Sequence, residues 1–398
     1  MEQLGLKGHL GSKLPSSSLA GKLLPMRYLI SIILASLVAL VAQAETPPAP
    51  ELGAQGYLLI DYDSGEVLAA ANADVRLEPA SLTKIMTAYV VFSELAAGNI
   101  ALDDQVLISE KAWRTGGSKM FIEVGNQVRV EDLLKGMIIQ SGNDASVALA
   151  EHLAGSEDSF AGLMNQHAER LGMRQSHFTN APGLPDPDHY TTPSDIARVT
   201  AAMIRDFPEY YRWYSEPEFT WNEIKQFNRN RLLGKGVGVD GVKTGHTQAA
   251  GYCLVSSAKR DGQRLISVVM GTASDSARVA DSLALLNYGF RFFETHHLYP
   301  AGEPLELLRV WSGDPPTVAV GPAADVAVTI PRGSFDQLSA QLEPISELTA
   351  PVAVGQLVGE IALLLDGEEI KRQPAVALDA VERGGLLRQA ADSILKLF

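Results

Sequence analysis

Ser81 and Lys84 stand three residues apart in the segment PASLTKIMT (79–87), and that spacing puts their side chains on one face of a helical turn. Pro79 suits the start of a helix, and Ile85, Met86, Ala88, Tyr89, Val90, Phe92 and Leu95 carry an apolar pattern on to Gly98. Ser81 therefore falls near the N-terminal end, where unpaired N–H groups and the positive end of the helix dipole stabilise developing negative charge. The same field disfavours a protonated Lys84. A lysine partly desolvated there, and close to another cation, has a lowered pKa and is able to take the serine proton. Ser-x-x-Lys also recurs by chance, so the partners of the pair decide.

Two further motifs follow in order. Ser141-Gly142-Asn143-Asp144 sits between two apolar-periodic segments, residues 130–139 and 145–153, where it also reads as a helix–helix turn with Asn143 or Asp144 as an N-cap. Lys243-Thr244-Gly245-His246 lies at the end of a short strand that begins at Val239. Around them, residues 57–60 and 67–69 flank the Asp63-Ser64-Gly65 turn as a hairpin ahead of the Ser81 helix. Helices are expected at 159–171 and 194–206, strands at 251–259 and 263–271, and an amphipathic helix at 279–293. The economical arrangement is α/β of the α+β kind: a five-stranded antiparallel sheet flanked by helices, with a helical subdomain beside it.

Composition narrows the class. The chain has 398 residues, 46% of them hydrophobic and 20% charged, enough for a large core and for two domains. A formal charge of −14 leaves no basic stripe to neutralise phosphates and argues against nucleic acid. No Gly-rich phosphate loop and no clustered metal-ligand spacing occurs, so neither a cofactor nor a metal is expected. Cys253 is the single cysteine, which excludes a disulfide within the chain, and its setting in Tyr252-Cys253-Leu254-Val255 reads as a small buried hydrophobe. His296-His297 reads as an isolated, solvated pair.

The N-terminal end reads as targeting. Lys7, Lys13, Lys22 and Arg27 precede an apolar run at 28–41, and Ala42-Gln43-Ala44 offers a small-x-small cleavage site. The run is short for a span of the bilayer, so residues 1–44 are expected to be a cleaved signal peptide. Met26-Arg27 makes a compact start by itself, which marks 1–25 as an upstream extension or a misassigned start. Residues 45–53 follow as a Pro-rich linker.

Ser-x-x-Lys, Ser-x-Asn and Lys-Thr-Gly in this order are the signature of penicillin-binding proteins and class A β-lactamases. Residues 79–87, the segment Gly241 to Thr247, and Asn228-Arg229-Asn230 carry the match further. From about Ala54 to its end the chain resembles the low-molecular-mass penicillin-binding proteins that are D-alanyl-D-alanine carboxypeptidases. The resemblance implies a penicillin-binding transpeptidase-like (β-lactamase-like) domain, assigned to 54–295, then a small β-sandwich at 296–378 and an amphipathic membrane-surface helix at 379–398. The sequence supports both tail features. Residues 317–320, 326–330, 352–354 and 361–365 are β-formers between turns, and Leu387, Ala391, Ile394 and Phe398 fall on one helical face against Arg388, Asp392 and Lys396 on another.

The resemblance implies a function as well: Ser81 attacks the carbonyl between the two terminal D-alanines of a peptidoglycan stem pentapeptide, with Lys84 as general base. It assigns Ser141 to proton relay toward the leaving amine and Asn143 to holding the substrate amide and Lys84. Lys243 supplies positive field, Thr244 with Arg229 binds the terminal carboxylate, and the N–H groups of Ser81 and of His246, which follows Gly245, form the oxyanion hole. β-Lactams are the expected covalent inhibitors. A β-lactamase shares the motifs, yet the 182–190 loop carries Asp186 and Asp188 and no Glu-x-x-Leu-Asn. An endopeptidase acting on crosslinks, and an idle wall-binding or penicillin-sensing module, are the other readings. The expected location is the periplasm, peripherally on the outer face of the cytoplasmic membrane.

Overall fold

The computed structural model describes residues 46–396. The expected signal peptide at 1–44, with its apolar run at 28–41, and Phe398 lie outside the described residues.

The N-terminal half is organised around an antiparallel sheet with strand order β2-β1-β9-β8-β7. Its strands are β1 (Gly56–Asp61), β2 (Val67–Ala71), β7 (Val239–Thr247), β8 (Gly251–Arg260) and β9 (Gln263–Thr272). Side chains alternate across the pleat, so each strand feeds two cores. In β9, Ile266, Val268 and Met270 join the core on the helical side, while Leu265 and Val269 join the core on the opposite face.

Between β2 and β7 runs the helical insert: α1 (Thr83–Ala96), α2 (Glu110–Arg114), α3 (Val130–Ile139), α4 (Asn143–Ala154), α5 (Glu157–Arg170), α6 (Pro193–Asp206) and α7 (Pro208–Tyr211). Thr192 caps α6 by accepting from the Asp195 N–H at 3.1 Å, with Pro193 at its first position. The opposite face is covered by α8 (Asp275–Phe292), whose Leu285, Leu286 and Phe290 are buried. The insert also holds two antiparallel strand pairs that the apolar periodicity did not announce, β3 (Gln105–Leu107) with β4 (Gln127–Arg129), and the hairpin of β5 (Glu218–Trp221) with β6 (Ile224–Phe227).

The C-terminal half is all β until its last helix. Its strands are β10 (Phe293–Tyr299), β11 (Glu306–Trp311), β12 (Gly313–Asp314), β13 (Thr317–Pro322), β14 (Val326–Pro331), β15 (Leu338–Pro344), β16 (Leu348–Thr349), β17 (Leu357–Leu365), β18 (Glu368–Ala377) and β19 (Glu382–Arg383). A six-stranded sheet in the order β15-β17-β18-β13-β11-β16 faces the β10–β14 pair across a core of its own, with Val310, Val320, Val328, Leu363 and Ala375 inside it. The expected strand at 352–354 is reduced to one bridge, Val352 to Val381. Val381 is buried in the core and β19 pairs with β12, so this domain runs through Arg383 rather than stopping at 378. The final helix, α9 (Leu386–Leu395), is capped by Gly385.

The two halves meet at the β1–β2 turn. The Asp61 carboxylate is fully buried and accepts from Thr295 Oγ1 at 2.5 Å, from Gln263 Nε2 at 3.2 Å and from the Ser64 N–H at 2.9 Å. Lys371 in β18 donates to the Ser64 carbonyl at 2.8 Å. The His296-His297 pair is split by the alternation of β10. His296 stacks on Phe335 at 4.2 Å, half-buried, so it is not the solvated residue expected, whereas His297 remains exposed near Asp63.

Candidate active site

Ser81 lies in a single 3₁₀ turn, Ala80–Leu82, that runs directly into α1. The turn is entered through Ala80 at φ +46°, a left-handed conformation that a non-glycine residue adopts only when its surroundings enforce it. The enforcement comes from two sides. At Gly183, with φ +83°, an added Cβ would come within 1.9 Å of the Ala80 carbonyl oxygen, and at Gly245 one would come within 3.0 Å of the Pro79 carbonyl oxygen and 3.3 Å of the Leu82 nitrogen. Glycine at both places lets the 180s loop and strand β7 press their backbones against the serine turn.

One helical turn later, Lys84 is 1% exposed. Its Nζ donates to Ser81 Oγ at 2.9 Å, to Asn143 Oδ1 at 2.7 Å and to the Pro182 carbonyl at 2.8 Å. Burial and then the Arg229 guanidinium pull its pKa down to about 7, against a weaker opposing pull from Asp144. A neutral amine at this point would donate to Asn143 and Pro182 and turn its lone pair to the Ser81 hydroxyl. Nothing but Ser81 is left for that lone pair.

Asn143 is the first residue of α4, behind Gly142 as the cap, so neither Asn143 nor Asp144 takes the alternative N-cap role. Their side chains are used elsewhere. Asn143 Nδ2 donates to the Gly116 carbonyl at 2.7 Å, fixing its oxygen toward Lys84, and Asp144 accepts from the N–H groups of Met120 at 2.9 Å and Phe121 at 3.0 Å. Ser141 precedes them at φ +68°, buried at the cavity wall.

The third wall is β7, an edge strand of the sheet. Lys243 is buried and its Nζ donates to the Thr244 carbonyl at 3.1 Å; burial, with Lys84, Arg229 and Arg278 nearby, holds its pKa well below the ordinary lysine value. The ring of His246 packs on Tyr252 of β8 at 4.0 Å. Arg229 reaches in from the segment after β6, anchored by Nε to the Gln140 carbonyl at 2.9 Å. Ser81, Ser141, Arg229, Thr244, Gly245 and His246 thus line one cavity of about 340 Å³, with Lys84, Asn143 and Lys243 buried behind it.

Three participants, Pro182, Ser118 and Arg278, had no motif to announce them, and Asp144, part of the Ser141–Asp144 motif, has a role other than capping. The Pro182 carbonyl completes the Lys84 cage, Ser118 lines the cavity, and Asp144 organises the 120–122 backbone. Arg278, on α8, is 7% exposed; it donates to the Gly245 carbonyl at 3.0 Å and the Cys253 carbonyl at 3.3 Å and pairs with Asp275. Cys253 itself is buried, with burial pushing its thiol pKa up to about 11. Among the described residues no cluster of His, Cys, Asp and Glu could hold a metal ion.

Comparison with known proteins decides the family. Residues 42–274 match the family described as D-alanyl-D-alanine carboxypeptidase, and residues 293–383 match the C-terminal domain of penicillin-binding protein 5. The chain belongs to the D-alanyl-D-alanine carboxypeptidase family. A carboxypeptidase of Escherichia coli (strain K12), DacC, is 46% identical over 367 residues, covering 90% of this chain and 91% of that one. The crystal structure of penicillin-binding protein 5 from Haemophilus influenzae superposes with a TM-score of 0.83 at 44% identity, covering 85% of this chain and all of that one. Penicillin-binding protein D2 of Listeria monocytogenes, solved in an ampicillin-bound form, matches 61% of this chain and all of its own at 31% identity, with a TM-score of 0.57. This serine hydrolase family accounts for both halves of the fold: a penicillin-binding-protein domain and a sheet-rich C-terminal domain.

Proposed function

We propose that the enzyme removes the terminal D-alanine from peptidoglycan stem pentapeptides through an acyl-enzyme on Ser81. The observation that carries this reading is the Lys84 amine, buried and drawn to a pKa of about 7, held between Ser81 Oγ, Asn143 Oδ1 and the Pro182 carbonyl. As general base it takes the Ser81 proton while Oγ attacks the carbonyl of the penultimate D-alanine. The negative charge grows beside the N–H groups of Ser81 and His246, the assigned oxyanion donors. Ser141 relays the proton to the departing amine, and Asn143 holds both Lys84 and the substrate amide. Lys243 contributes positive field, and Thr244 with Arg229 holds the substrate's terminal carboxylate. Water then replaces the ester, freeing Ser81 and the shortened peptide.

β-Lactams acylate the same serine on this reading, and the adduct is long-lived. The group that the 180s loop presents to Lys84 is a main-chain carbonyl, not a carboxylate able to activate water. Incubation with labelled penicillin should mark Ser81 stoichiometrically and persist for minutes; turnover in seconds would favour a β-lactamase. Release of D-alanine from a pentapeptide by Ser81→Ala protein would refute the mechanism.

We also propose that α9 attaches the exported enzyme to the outer face of the cytoplasmic membrane. The helix turns its polar side inward: Asp392 accepts from Arg309 at 3.0 Å and from the Ser312 N–H at 2.6 Å, and Lys396 pairs with Glu347 at 3.1 Å. Leu386 and Leu387 are left 84% and 90% exposed, with Ile394 and Leu395 beside them. Such an outward apolar face fits the interface of a bilayer. Among the described residues no helix is long and apolar enough to cross a membrane.

A further inference from the structure

His189 is 3% exposed and lines no wall of the Ser81 cavity, so the reaction as derived gives it no part. Its ring nonetheless touches the helix that carries Lys84. Nε2 lies 2.8 Å from Oγ1 of Thr83, the first residue of α1 and the neighbour of Lys84. On the other side of the ring, Nδ1 lies 3.1 Å from the Thr179 backbone nitrogen. A backbone N–H only donates, so Nδ1 accepts, the proton of the neutral ring sits on Nε2, and Nε2 donates to Thr83 Oγ1. Burial draws the ring's pKa down to about 4, against a weaker opposing pull from Asp186, so the ring is neutral wherever Lys84 titrates. A neutral ring, fixed in one tautomer and set back from the cavity, has no proton to trade with the substrate.

What it holds is the loop that covers Lys84. The loop leaves Thr179 and returns to His189, and the bond between these two closes it. Within it, Asn180 Oδ1 accepts the N–H groups of Gly183 and Leu184, both at 2.8 Å, and Asn180 Nδ2 donates to the Leu184 carbonyl at 3.0 Å. The braced loop meets α1 at three points. His189 donates to Thr83, Thr87 Oγ1 donates to the Ala181 carbonyl at 2.6 Å, and Lys84 Nζ donates to the Pro182 carbonyl at 2.8 Å. Thr83 and Thr87 are four apart, on one face of the helix, and both are fully buried. The fit is close: a Cβ added at Gly183 would come within 2.6 Å of Thr83 Oγ1.

Of the groups around the Lys84 amine, Ser81 belongs to the same helical turn and Asn143 to the Ser141–Asp144 motif, whereas the Pro182 carbonyl is placed by this loop. Where the loop seats on Thr83 therefore sets where that carbonyl meets Lys84. We infer that His189 is a positioning residue: by joining Thr179 to Thr83 it seats the Pro182 carbonyl on the Lys84 amine and so aims the amine at Ser81. A displacement of about 1 Å in such a contact is enough to cost up to about 10²-fold in rate. The competing role is a core histidine that serves stability alone, its ring set edge-on to Phe178 at 5.6 Å. Such a residue would leave the rate per folded molecule untouched. The inference rests on the acyl-transfer reading above, with Lys84 as base, and adds no new bond chemistry.

The test uses the full chain, D-alanine release from a diacylated L-lysyl-D-alanyl-D-alanine peptide, and labelled penicillin to count the molecules with a competent Ser81. His189→Leu keeps the bulk and removes both hydrogen bonds. It should lower kcat per labelled site about tenfold or more, with KM within about twofold because the ring lies outside the cavity. Loosening the loop admits water to Lys84, and burial is the main cause of its lowered pKa, so the acid limb of kcat/KM should also move to higher pH. His189→Gln, which offers one donor and one acceptor on the same side chain, should recover most of the rate and return the limb toward pH 7. Thr83→Val leaves the ring in place, guards against a collapsed loop, and should reproduce the loss. Joined to His189→Leu, it should add little to it, since both changes cut one bond. An unchanged kcat per labelled site in His189→Leu and Thr83→Val, whatever their melting midpoints, would overturn the positioning role. So would losses that multiply in the double variant. Failure of the unsubstituted enzyme to release D-alanine would refute the underlying reading instead, and the rate of Ser81 labelling across the same variants would then decide His189.

Discussion

Charged side chains are handled in opposite ways in the two halves of the molecule. In the catalytic half Lys84, Lys243 and Arg278 are buried at 1%, 2% and 7% exposure around one hollow, with Arg229 beside them. In the C-terminal half Arg372 stands in solvent and pairs with Glu343, Glu360 and Glu369 on the face of the β15–β17–β18 sheet. An exposed network of this kind is screened by water and salt and adds little to stability. Burying cations together costs desolvation and mutual repulsion, and no fold needs it. In the first region the chain gives up stability for chemistry: burial first, and the neighbouring Arg229 second, lower the Lys84 pKa.

The strongest way to break this contrast is at the nucleophile. Ser81→Ala should lower D-alanine release about 10³-fold or more while leaving the thermal midpoint nearly unchanged, checked by product analysis beside a melting curve. Lys84→Ala should cost a comparable factor.

The pH profile sharpens the contrast. Lys84 has a lowered pKa of about 7, and if it is the proposed base it works only when neutral, so kcat/KM should fall as pH drops below about 7 and level off above it. Arg229 is one of the causes of the lowering, so Arg229→Gln should move that limb to higher pH, and on the proposed carboxylate-binding role it should also raise KM. A limb that stays in place would separate Lys84 from the titration. Gly183→Ala should be next in size: the added methyl meets the Ala80 carbonyl, and a loss of about tenfold in activity with about 2 kcal/mol in stability is expected from a forced shift of the loop at a positive φ.

The C-terminal half should give the smallest effects on catalysis. Arg372→Ala should leave D-alanine release unchanged, and a clear loss would mean that the exposed network reports on the cleft after all. Ending the chain after Gly384 should also preserve release while moving the protein from the membrane fraction to the soluble one. The cut belongs there, and not at residue 380, because Val381 and β19 are part of the domain. Retention at the membrane would place the attachment elsewhere.

Much of this architecture is local in origin and could be read from the sequence. The three-residue spacing of Ser81 and Lys84 fixes a shared face at the start of α1, whatever packs around it. Apolar periods of 3.6 and 2 delimit α3 at Val130–Ile139 and mark β8 and β9, because a helix or strand that must bury one face writes its period into the chain. The short β5–β6 hairpin, four residues to a strand, carries too little pattern to stand out among helices.

Tertiary structure alone decided what surrounds the reacting atoms. The Pro182 carbonyl lies 98 residues from Lys84, and Arg278 lies 33 residues from the Gly245 carbonyl it holds; both act through contacts that carry no spacing rule. The same holds for Asp144, whose type suggested a helix cap but whose carboxylate found three N–H groups at residues 120–122. A backbone donor must be satisfied wherever burial leaves it, and which side chain does so is fixed only when distant segments pack. The sequence therefore marked Ser81, Lys84 and the elements that carry them, while the depressed Lys84 pKa and its third acceptor exist only because separate segments close over one another and exclude water.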